Sequence, residues 1–217
     1  MEKVITRPAA RSGTTTIPSD LRSLPALREA AANCRACPLW RHGTQTVFGE
    51  GAAESPLLIV GEQPGDREDI AGHPFVGPAG RVLDRALEES GIGREDVYVT
   101  NAVKHFKWQL RGKRRLHKTP AQREIEACFP WLEAELTTVD PRVVLCLGAT
   151  AARAMLKTPV RVNEARGHTL RSPDGRNVLV TVHPAYLLRL RPPALEEVYE
   201  QFFQDVREAV KLASKAR

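Results

Sequence analysis

The stretch GKRRLHKTP, residues 112–120, sets His117 among Lys113, Arg114, Arg115 and Lys118. Cations at that density suit phosphate oxygens and need no imidazole. An imidazole is a nucleophile or proton carrier and needs no such crowd of cations. One loop is therefore expected to do two jobs. Three more groups carry chemistry by type and placement: Glu62 follows the apolar run PLLIVG, Asn101 ends VYVTN, and His183 follows NVLVTV. Each alone is an ordinary loop acid, turn amide or satisfied histidine. Three at equivalent ends of apolar runs point to one crevice.

The cysteines form a second set: Cys34 and Cys37 in NCRACPLW, Cys128 in EACFPW and Cys146 in VVLCLG. The chain is expected to be cytosolic, where thiols stay reduced, so Cys-x-x-Cys with two further cysteines reads as a metal or cluster site rather than a disulfide framework. Spacing leaves zinc and iron–sulfur equally open. A thioredoxin-like role does not fit, because the pair does not follow a strand in a βαβ pattern.

Between Glu62 and the next helix runs GEQPGDREDIAGHPFVGPAG, in which Gly61, Gly65, Gly72, Gly77 and Gly80 alternate with Pro64, Pro74 and Pro78. Such a backbone is forced into special turns that aim N–H groups at a ligand. It lacks the Gly-Lys-Ser/Thr of a Walker loop, and no dinucleotide fingerprint occurs. Phe75 within it is either core packing or a platform for a flat ring.

The chain has 217 residues and a formal net charge of +6, unevenly spread. No acid lies between Asp96 and Glu124, while Lys104, Lys107, Arg111, Lys113, Arg114, Arg115, Lys118 and Arg123 all do. With His105, Phe106 and Trp108 interleaved, the run points to a phosphate backbone with bases close by. No apolar run reaches the roughly 18 to 20 residues of a membrane span. No membrane partner is expected, and the chain is read as a monomer.

These residues need elements to place them. Residues 21–33 have a helical pattern. PLLIVG (56–61), VYVTN (97–101) and RVVLCLG (142–148) read as strands buried on both faces. RVLDRALEES reads as a helix stopped by Gly91. Thr119 is expected as an N-cap, with Pro120 as first helical residue and Gln122 completing a capping box, for a helix running to about residue 138. HTLR and NVLVTV flank the turn SPDG as a hairpin. Leu195, Val198, Phe202, Val206 and Val210 recur at helical spacing, so 194–214 should cover the sheet. The expected architecture is an α/β fold, a three-layer α/β/α sandwich on a mainly parallel central sheet. It forms one domain over 20–217, after a flexible tail at 1–19.

GEQPGDREDIAGHPFVGPAG, TNAVKHF and HPAYLLR together resemble the uracil-DNA glycosylase superfamily, specifically its iron–sulfur branches. GEQPG in place of GEAPG, with KRRLH close to KRRIH, is similar to the X-type branch, which crosslinks to uracil-containing DNA. Leu116 for Ile is a conservative departure; Tyr186 is bulkier than the small residue usual there. The resemblance covers roughly residues 30–212. It implies that uracil in DNA, with single strands the favoured form, is flipped into a pocket and cut from its sugar. Phe75 would stack on the base, Asn101 would read its O4/N3 edge, and His183 would donate to O2 as charge develops. Backbone amides around Gly61, Gln63 and Gly65 would share that task. His117 would capture the sugar at C1′ and stay bonded to it, with Glu62 orienting the ring and accepting its proton. Lys104, Lys113, Arg114, Arg115 and Lys118 would hold flanking phosphates. Cys34, Cys37, Cys128 and Cys146 would ligate a [4Fe–4S] cluster of structural purpose. A turnover glycosylase that releases free abasic DNA, and a zinc-stapled nucleic-acid-binding module, are the alternatives.

Overall fold

In the computed structural model, which describes residues 15, 17–18 and 21–215, the strands are β1 (Glu50–Gly51), β2 (Leu57–Gly61), β3 (Tyr98–Asn101), β4 (Trp108–Arg111), β5 (Arg114–His117), β6 (Val143–Leu147), β7 (Leu170–Arg171) and β8 (Asn177–Thr181). The helices are α1 (Leu24–Ala32), α2 (Asp66–Ala71), α3 (Pro78–Glu89), α4 (Gln122–Val139), α5 (Ala149–Leu156), α6 (Val162–Ala165), α7 (Pro184–Leu187) and α8 (Ala194–Ser214). Six strands make one sheet in the order β1-β3-β2-β6-β8-β7. β3, β2, β6 and β8 run parallel at its centre, and the two-residue strands β1 and β7 close its edges antiparallel.

Side chains alternate across a strand, so each apolar run feeds two cores. Leu58 and Val60 of β2, Val144 and Cys146 of β6 and Val178 and Val180 of β8 pack with residues of α1, α4 and α5. Leu57, Ile59, Val143, Leu145 and Leu179 pack on the other face with α3 and α8. Runs without a polar position are therefore required here, since neither face meets water. Burying each such Leu, Ile or Val contributes roughly 1.5 to 3 kcal/mol. The result is the expected three-layer α/β/α sandwich.

Local expectations fail in three places. The segment read as one long loop after β2 contains α2, whose cap Gly72 takes φ 80. The basic loop is a two-stranded hairpin, with Trp108 opposite His117 and Arg111 opposite Arg114. Thr119 is not an N-cap and Pro120 is not helical: α4 begins at Gln122, where the Glu124 carboxylate accepts from the Ala121 amide at 2.6 Å. That carboxylate also accepts from Lys107 Nζ at 2.8 Å. A charged acceptor already bonded to its own helix start displaces a hydroxyl two residues upstream. The expected tail at 1–19 lies almost wholly outside the described residues. Of the few described there, Thr15 donates to the Ala127 carbonyl at 2.5 Å and Ile17 packs on the core.

Candidate active site

The parallel strands end level with one another. Gly61 lies opposite Asn101, and Leu147 opposite Thr181. Beyond these carboxyl ends opens a cavity of about 950 Å³, lined by Glu62, Phe75, Asn101, His117, Thr150 and His183 among others. Gly61 is there because nothing larger fits: a Cβ would collide with the Asn101 amide oxygen and the Phe75 ring. Phe75 itself has φ 56, a conformation uncommon for an aromatic residue. Its backbone is wedged against Gly80, where a Cβ would overlap the Phe75 carbonyl. The ring is buried at the cavity wall and lies nearly parallel to that of His183, centroids 6.1 Å apart.

Polar groups from three strand ends face this space. Asn101 is buried, and its Oδ1 has no hydrogen-bond partner among the described residues, which is costly unless a ligand supplies a donor. His183 Nδ1 accepts from the Ala185 amide at 3.2 Å, which leaves the ring proton on Nε2 as a donor. Burial pushes its pKa down to about 4, with His117 and Arg189 acting in the same sense against Glu62. At neutral pH it is an uncharged donor. Glu62 is backbone-pinned where its carbonyl accepts from the Val103 amide at 3.0 Å. Its Oε1 lies 3.2 Å from His117 Nε2, and its Oε2 accepts from the Thr150 hydroxyl. Burial drives this carboxyl upward, but the bonds from His117 and Thr150 and the two imidazoles outweigh it, so the pKa is lowered.

The hairpin delivers His117. On β5, residues two apart share a face, so Arg115 and His117 point the same way. Arg115 is tied down by Asp66 Oδ1 at 2.5 Å and Asp69 Oδ2 at 2.6 Å, both on α2. Gln63 closes the hairpin's base: its Nε2 donates to the carbonyls of Lys107 and Lys118, each at 3.1 Å, and its Oε1 accepts from the Lys107 amide at 3.0 Å. The Gln63 side chain is thus committed to the hairpin, leaving only its backbone for a base. Arg115 is likewise committed to anchoring the hairpin.

Lys104 is a clear correction. It is 1% exposed, and its Nζ lies 2.5 Å from Glu135 Oε2, with further bonds to Thr100 Oγ1 and the Asn101 carbonyl. A cation so placed cannot meet a phosphate; it braces the strand end that carries Asn101. His105 and Phe106 are also buried. Lys113, Arg114 and Lys118 are exposed. Tyr186 is 41% exposed with Arg189 over its ring, so its bulk does not fill the cavity.

The four cysteines are free thiols gathered at one apolar core, Cys37, Cys128 and Cys146 within it and Cys34 packed against it. The Lys104 amide donates to Cys128 Sγ at 3.2 Å. Burial raises the Cys37 thiol, pushes Cys128 up to about 12 and raises Cys146 further, so these sulfurs remain thiols unless a soft cation claims them. Among the described residues no three His, Cys, Asp or Glu side chains close on a single ion.

Sequence reasoning missed Thr150, Asp69 and Glu135. Thr150 was findable: the rule that strand ends line the crevice, applied to β6 as to the other three, reaches Gly148, Ala149 and Thr150. Asp69 and Glu135 gave no signal, each being one of several acids on its helix.

A sequence profile of the Uracil DNA glycosylase superfamily matches residues 48–207. The Type-4 uracil-DNA glycosylase of Thermotoga maritima is 37% identical over 184 residues, covering 84% of this chain and 92% of its own. That of Pyrobaculum aerophilum is 36% identical, covering 82% and 90%. The Type-5 uracil-DNA glycosylase of Mycobacterium leprae is 27% identical, covering 88% and 96%. With the strand-end cavity and its polar groups in place, the profile's span makes the chain a member of the uracil DNA glycosylase superfamily.

Proposed function

We propose that the protein excises uracil from DNA and that His117 captures the sugar it leaves. The observation that carries the reading is His117 at 3.2 Å from Glu62, held at the cavity by an arginine that is itself tied to two aspartates. The relatives' names support the excision; the capture rests on this geometry and on the KRRLH resemblance. Uracil turned out of the stack enters the cavity, Phe75 stacks on it, and Asn101 Oδ1 accepts from N3–H. The C1′–N1 bond breaks with its electron pair going to uracil, whose negative charge spreads to O2. The His183 Nε2–H donor, neutral and already aimed, stabilises that charge, and such a donor is worth about 2.7 to 4 kcal/mol. A neutral His117 nitrogen then bonds C1′. The proton this leaves on the ring passes to Glu62, and the uracil anion takes its own proton from water.

Cys34, Cys37, Cys128 and Cys146 would hold a [4Fe–4S] cluster, which supplies a structural staple between the segment after α1, helix α4 and strand β6. Four soft donors on one apolar core suit it. Brown protein with iron and sulfide in equal amounts supports the cluster; colourless protein with one zinc contradicts it. Lys113, Arg114 and Lys118 take phosphates. Free uracil released from a uracil-containing oligonucleotide, and none from its thymine counterpart, tests the excision.

A further inference from the structure

We propose that Thr150 is a positioning residue for Glu62: its hydroxyl holds Oε2 so that Oε1 faces His117. The terminal torsion of a glutamate is broad and two-fold, so one bond to a half-exposed hairpin residue does not fix which oxygen faces where. A second bond from a rigid element does. Thr150 is such an element: it lies in the first turn of α5, started by Gly148 at φ 89, whose amide donates to the Thr181 carbonyl at 2.8 Å. Threonine's branched Cβ further limits its rotamers. A helical threonine usually bonds back to a carbonyl of the preceding turn; this one reaches Glu62, 88 residues away in sequence.

The inference rests on Glu62 serving His117 as proposed above. The titratable groups facing Glu62 are His117 from β5 and His183 beyond β8, with Arg189 acting on His183. Glu62 works only as carboxylate, so its reaction fades as pH falls through its pKa. Removing a donor that favours the carboxylate moves that acid limb to higher pH.

Single-turnover rates of adduct formation and of uracil release, each measured against pH, test this on the full protein. Thr150→Val is expected to slow adduct formation about tenfold, as loss of one charge-assisted hydrogen bond does. Its acid limb should shift upward, and Thr150→Ser should restore the wild-type limb. A merely space-filling threonine would leave the limb in place. Should the valine variant fail to fold, Thr150→Ala removes the hydroxyl without added bulk and answers the same question. A folded hydroxyl-free variant with an unmoved limb overturns the proposal. Wild-type protein that releases uracil without forming an adduct overturns capture by His117, and the positioning of Glu62 for that step falls with it.

Discussion

The charge of a residue did not foretell its task at this site; its burial did. Lys104 and Lys113 sit in the same basic run, yet one is sealed against Glu135 and the other rides the hairpin turn in solvent. Lys113→Ala should weaken DNA binding uniformly and reduce the slope of log affinity against log salt by about 0.7 for a single strand. Lys104→Met should leave that slope unchanged and cost about 3 to 5 kcal/mol of stability, because Glu135 is left charged and buried without its cation. Salt titrations and denaturant melts of the two variants check the contrast. Glu62, Asn101, His117 and His183 were legible in the sequence because each stands at a chemical break, an ionisable or amide group directly after an apolar run or inside a cationic one. Lys104 was not, since its partner lies 31 residues away on another element. Thr150 carries no charge, and only the strand-end rule applied to β6 reaches it.

The element that matters most is the β4–β5 hairpin, which the sequence disguised as a loop. WQLR and RRLH carry no apolar alternation, because neither strand has a buried face; the hairpin is held by charges and amides in place of a core. Arg115 pairs with fully buried Asp69 and with Asp66, and Gln63 clamps the hairpin's two ends. Arg115→Ala should therefore act through His117 while leaving the strand-end cavity intact. Adduct formation should fall by more than uracil release does, and stability by about 3 kcal/mol as buried Asp69 loses its cation and keeps only the Thr44 amide and hydroxyl. Equal losses in both rates would mean that the hairpin serves the pocket alone. The strands β2, β3 and β6 and the helix α8 were legible to within a residue or so, as fully apolar runs and a long helical period leave few alternatives. The start of α4 was misread because a hydroxyl-proline pair looks like a cap whether or not a nearer carboxylate takes the role.

At the scale of the molecule, alternation of strands and helices was enough to expect the three-layer sandwich, while the two-residue edges β1 and β7 are too short to carry a pattern. Two histidines are held uncharged, His105 buried and His183 half-buried at the cavity. His105 bonds Thr46 Oγ1 at 3.0 Å, and burial lowers its pKa from 6.5 to about 4, against a small opposing effect of Asp69. The unfolded ring takes its proton near 6.5 and the folded one only near 4, so within that window the unfolded state binds more protons and stability rises with pH. The contribution, about 3 kcal/mol, is complete above 6.5 and is lost as pH falls towards 4. His183 adds to the same trend. Thermal melts from pH 7 to 4.5 should show this fall, and His105→Gln should flatten it. The cavity, the hairpin and the acid beside His117 come together in one expected outcome, a protein that ends its reaction bonded to its substrate. A denaturing gel of wild-type protein and His117→Ser with a uracil-containing single strand tests this most directly. The wild type should give a slow-migrating band that survives denaturant and heat, and His117→Ser should lose that band. Free abasic DNA alone from the wild type, or an undiminished band from His117→Ser, would contradict the account.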